Sequence, residues 1–106
     1  MHYDKQKELD LSNLWPHHYK GMNYRRLGQY ELAIQSWERY IELRRIESAD
    51  WIESEQAADA YTNIGLAYVE LDQYHEAIAH FDTALGIDQA YPDAISGKEK
   101  AVEHLR

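Results

Sequence analysis

Histidines and carboxylates are the side chains that could make this chain an enzyme, and their spacing decides whether they do. His75-Glu76 begins like a helical zinc-hydrolase motif, in which two histidines at i and i+4 share one helix face and a glutamate acts as base. The next histidine here is His80, at i+5. That offset leaves the two rings about 140° apart around a helix, too far for one ion. His17-His18 is an adjacent pair whose rings point in different directions, and His2 and His104 stand near the ends. Ser12, Ser36, Ser48, Ser54 and Ser96 lack any nucleophile signature, and no glycine-rich loop is present to cradle a phosphate. Without cysteine there is no thiolate ligand, thiol nucleophile or disulfide, which suits a reducing, cytoplasmic setting. The chain is expected to be non-catalytic, with no metal and no cofactor.

The charges narrow which partners are possible. The 106 residues carry 11 basic and 19 acidic groups, a net −8. Residues 1–53 sum to −1 and residues 54–106 to −7, and no Lys or Arg occurs between Ser54 and Gly97. Nucleic acid is excluded as a partner by such a surface. With 44% apolar and 12% aromatic residues the chain can still bury one domain's core. Uninterrupted apolar stretches reach only three or four residues, so neither a membrane span nor a secretory signal is expected.

The elements that must position these groups repeat. Gly21, Tyr24, Leu27, Tyr30, Ala33, Ile34, Trp37, Ile41 and Leu43 recur 44 residues later as Gly65, Tyr68, Leu71, Tyr74, Ala77, Ile78, Phe81, Leu85 and Ile87. Apolar positions within each copy fall three and four apart, which is helical period. Leu27-Gly28-Gln29 and Leu71-Asp72-Gln73 break the pattern for just long enough to reverse the chain. Each copy therefore reads as a helical hairpin. A mid-helix glycine costs about 1 kcal/mol against alanine, so Gly21 and Gly65 imply a close helix crossing, expected to face Ala33 and Ala77 with the aromatics closing its sides.

Copy two, with Tyr61, Ile64-Gly65, Tyr68, Ala77, Phe81 and Ala84, resembles the tetratricopeptide repeat family at nearly every position. Copy one is looser: His17 and Lys20 stand where large apolar residues are usual, and Tyr40 replaces the small residue seen as Ala84. Related helical repeats with similar periods place extra residues inside the hairpin, whereas here the Gly-to-Ala spacing is 12 in both copies. The additional ten residues must then lie between hairpins, where Asp50-Trp51-Ile52-Glu53 reads as a capping box that starts the next helix two turns early.

The resemblance implies an all-α domain of antiparallel helical hairpins stacked as a short solenoid. Its expected parts are residues 1–13 as a partial repeat or arm, 14–47 as the first repeat and 48–57 as the extension. Residues 58–91 form the second repeat and 92–106 a capping helix, started by Pro92 and carrying an apolar stripe of Ile95, Val102 and Leu105.

The resemblance also implies a protein-interaction scaffold whose first helices line a concave groove for a partner's peptide. The family's groove positions fall on His18, Tyr19, Met22, Arg25, Arg26, Asp59, Thr62, Asn63, Leu66, Val69 and Glu70. Met22, Leu66 and Val69 offer an apolar floor, Thr62 and Asn63 hydrogen bonds to a peptide backbone, and the surrounding acids an attraction for basic ligand residues. Of the five positions that form the family's clamp for a C-terminal carboxylate, only Asn63 matches, so that ligand is not expected. The other reading is an architectural segment of a longer array, self-associating as a homodimer through an incompletely covered end near residues 1–14.

Overall fold

The computed structural model describes residues 14–106. The expected partial repeat at 1–13, and any dimer through it, lie outside these residues. Five α-helices follow one another: α1 (Leu14–Arg26), α2 (Tyr30–Glu47), α3 (Glu55–Glu70), α4 (Tyr74–Ile87) and α5 (Pro92–His104). A 3-10 turn, Ala49–Glu53, sits between α2 and α3, and the described residues contain no strand. α1 pairs with α2 and α3 with α4, while α5 packs on both α4 and α3. The fold is all-α, a helical-repeat arrangement.

Both hairpin turns use the same device. Gly28 at φ +80° and Asp72 at φ +60° occupy equivalent positions in the left-handed region. Gln29 N–H donates back to the Tyr24 carbonyl at 2.8 Å and Gln73 N–H to that of Tyr68 at 2.9 Å, the closing bond of a Schellman ending. Gly28 adopts this backbone without strain. Asp72 accepts a hydrogen bond from the Tyr74 hydroxyl at 2.8 Å.

The glycines face aromatic rings, which corrects the expectation that they face alanines. A Cβ built on Gly21 would lie 2.6 Å from Trp37 Cε2, and one on Gly65 2.6 Å from Phe81 Cε1. Gly97 of α5 presses on the same ring, its Cβ position 2.5 Å from Phe81 Cζ. Phe81 is thus gripped by two glycines from two helices, and both Trp37 and Phe81 are fully buried. The face that α5 turns inward is Ala94, Gly97 and Ala101, whereas Ile95 and Leu105 are exposed. Two residues of the anticipated apolar stripe therefore point outward and Val102 is half-buried, because only small residues let α5 approach the Phe81 ring.

The extension is also built differently from the capping box. Asp50 caps nothing; residues 49–53 form the 3-10 turn, and Ser54 is the N-cap of α3, its hydroxyl accepting from Ala57 N–H at 3.2 Å. Burial of Trp51 overrides the local pattern. Its indole meets Tyr40 edge-on at 5.6 Å, lies under the Arg44 guanidinium at 5.5 Å and donates Nε1–H to Gln56 Oε1 at 3.0 Å. Tyr40 fills the space that Ala84 leaves for α5 in copy two, so the bulky residue and the longer connector belong together. α2 has 18 residues against 14 in α4, which places part of the extra length in the helix itself.

Candidate peptide groove

The first helices line two neighbouring hollows. One, about 600 Å³, lies between α1 and α3 and is walled by Tyr19, Met22, Asn23, Arg25, Arg26, Asn63 and Glu70, with Tyr30 of α2. The other, about 300 Å³, lies between α3 and α5 and is walled by Arg25, Leu66, Val69, Glu70, Asp93, Ser96, Gly97 and Lys100. Arg25 and Glu70 belong to both. Helical period accounts for the convergence: Met22, Arg25 and Arg26 share the last turns of α1, and Asn63, Leu66 and Glu70 rise along one side of α3.

Three residues of the expected site lie elsewhere. Thr62 is 2% exposed and its hydroxyl donates to the Ala58 carbonyl at 2.8 Å, which removes it from any ligand. Asp59 accepts the Tyr91 hydroxyl at 2.6 Å, tying α3 to the residue that precedes α5. Burial first, and then this bond to a carboxylate, push the Tyr91 phenol well above its ordinary range. The His18 ring lies 5.3 Å from the Tyr40 ring, on the α2 side of α1.

Of the apolar floor, Met22 is 50% exposed, while Leu66 and Val69 are half-buried against the core that surrounds Phe81. Lys100 and Ser96 were missed because residues 92–106 read as a cap. Lys100 stands 34 residues after Leu66, and that family spacing was the available signal.

The acids of the second half lie largely away from the groove. Asp82 pairs with Lys98 at 2.7 Å, Asp88 accepts from Ala90 N–H at 3.1 Å, and Asp59 and Asp72 hold tyrosine hydroxyls. Inside the two hollows stand three cations, Arg25, Arg26 and Lys100, against two anions, Glu70 and Asp93. The ion pairs of the described residues, Arg39–Glu42, Arg44–Glu47 and Lys98–Asp82, are all elsewhere. A groove of slightly positive sign therefore sits on a chain of net charge −8.

His80 lies with its ring 5.2 Å from that of Tyr68 and its Nδ1 2.8 Å from the Glu76 carbonyl oxygen. Among the described residues no three His, Cys, Asp or Glu side chains converge to hold a metal ion. None of these helices is long and apolar enough to cross a membrane.

A family model described as tetratricopeptide repeat matches residues 12–90. That span is most of the chain, and the protein belongs to the tetratricopeptide repeat family. Domains of this family generally mediate protein–protein interactions and are typically non-catalytic.

Proposed function

We propose that this protein is a non-catalytic scaffold that binds a peptide segment of a partner protein along the groove of α1, α3 and α5. The observation that carries this reading is the row of two hollows, joined at Arg25 and Glu70, with exposed Met22 in one and Leu66 and Val69 in the other. Apolar anchors seated on these three side chains supply most of the affinity. Asn63 offers the ligand backbone an acceptor and two donors. Glu70 and Asp93 attract a basic ligand residue toward the α5 end, and this charge term acts chiefly on association rate and salt dependence.

The test is selection of a random peptide library on the immobilised full chain, followed by a ¹⁵N NMR titration with a selected peptide. Shifts are expected at Met22, Asn63, Leu66 and Val69, and loss of binding in a folded Leu66→Glu variant. Shifts confined to α2 and α4 around Gln35, Glu38 and His80, or unchanged binding by folded Leu66→Glu, refute the groove.

A further inference from the structure

Arg25 stands where the two hollows meet, and its guanidinium is held by the weakest bond in the groove. Its Nη1–H donates to Asn63 Oδ1 at 3.3 Å, a solvent-exposed contact between α1 and α3. That distance is long for an N–H···O bond, and the acceptor is a neutral amide. Arg26, by contrast, is bound at 2.8 Å to Asn23 of its own helix. Neither Arg25 nor Lys100 makes an ion pair among the described residues, although Glu70 and Asp93 line the same hollow.

We infer that Arg25 selects a single side-chain carboxylate on the peptide ligand, flanked on either side by apolar residues. The inference rests on the groove being the binding face. A carboxylate accepts two parallel N–H groups from a guanidinium where the amide oxygen accepts one, so it displaces Asn63 as the partner of Arg25. Asn63 is then released to bond the ligand backbone. The apolar flanks follow from position: Met22 lies in one hollow and Leu66 and Val69 in the other, with Arg25 shared between them. Glu70, which also reaches both hollows, repels a second carboxylate, so the preferred ligand carries one acid and not an acidic run.

The experiment compares two acetylated, amidated peptides, Leu-Ala-Asp-Ala-Leu and Leu-Ala-Asn-Ala-Leu, titrated into the full chain and followed by NMR of the groove residues. The aspartate peptide is expected to bind about tenfold more tightly, the difference between a charge-assisted and a neutral bond. Arg25→Gln erases the preference, whereas Arg26→Gln keeps it. Arg25 is exposed, so both variants fold. Equal binding of the two peptides, a preference that survives Arg25→Gln, or no groove shift with either peptide overturns the inference. Library-selected peptides that map to the groove but lack an acidic residue also overturn it, and they leave the scaffold reading standing.

Discussion

Replacing Gly65 by alanine isolates the grip on Phe81. The added methyl would lie 2.6 Å from Cε1, and ordinary contact begins near 3.4 Å, so the ring must retreat by 0.8 Å. Gly97 of α5 packs against the same ring, so any shift of Phe81 also disturbs the α5 contact. Overpacking of this kind costs about 1–3 kcal/mol, and the double grip places it in the upper part of that range. Alanine returns about 1 kcal/mol of helix propensity at a mid-helix position. The net loss is about 1–2 kcal/mol, or roughly 5–10 °C in Tm for a domain of this size. Thermal melts by circular dichroism measure it, with Gly86→Ala as control: nothing lies within 4 Å of that Cβ position, so the control should melt at or slightly above the parent. A double-mutant cycle with Phe81→Leu locates the effect. If Gly65→Ala melts with the parent, or loses as much in the Phe81→Leu background, the ring is not what excludes the side chain.

Three further outcomes are expected. Ser54→Ala removes the cap of α3 and costs about 1 kcal/mol in urea unfolding, while Asp50→Ala, which removes no cap, leaves the midpoint unchanged. Gly28→Ala costs about 1 kcal/mol through its φ of +80° alone, since its Cβ position is in open space; a variant as stable as the parent means the turn differs. Stability should also fall at alkaline pH. Burial and the Asp59 bond raise the Tyr91 pKa above its ordinary 10.0, so its contribution is complete below that value and is lost as pH rises through the folded value. Tyr40, Tyr68 and Tyr74 shift in the same direction, so Tyr91→Phe should reduce the fall in Tm between about pH 9 and 11 without abolishing it.

The two hairpins were legible because the repeat states each contact twice: Gly21 with Trp37 and Gly65 with Phe81 recur at one offset, and both turns keep the same three-residue break. What was not legible depends on partners distant in sequence. Asp50 to Glu53 matches a capping pattern locally, but the indole of Trp51 is worth more buried on Tyr40 than exposed on a helix start, and Ser54 becomes the cap. Ile95 and Leu105 look like a core stripe until the size of the Phe81 contact forces Ala94, Gly97 and Ala101 inward. For the candidate groove, family spacing pointed to Arg25, Asn63 and Leu66, which line the two hollows. It could not show that Thr62 closes on its own helix, that Tyr91 takes Asp59, or that most acids of the second half lie away from the hollows, leaving Glu70 and Asp93 there against Arg25, Arg26 and Lys100.

The Tyr40–Trp51 pair acts as a shim. Stacked repeats of uniform step give openings of uniform width, whereas here an aromatic spacer separates the first hairpin from the second and an alanine contact draws α5 close to the second. The hollows differ in the same sense, about 600 Å³ between α1 and α3 and about 300 Å³ between α3 and α5. On the proposed function, a ligand lying along the row meets the larger hollow and then the smaller one, and reversing it would put its bulkier anchor in the smaller space. The aromatic spacer, which lines neither hollow, would thereby give the proposed groove a sense of direction.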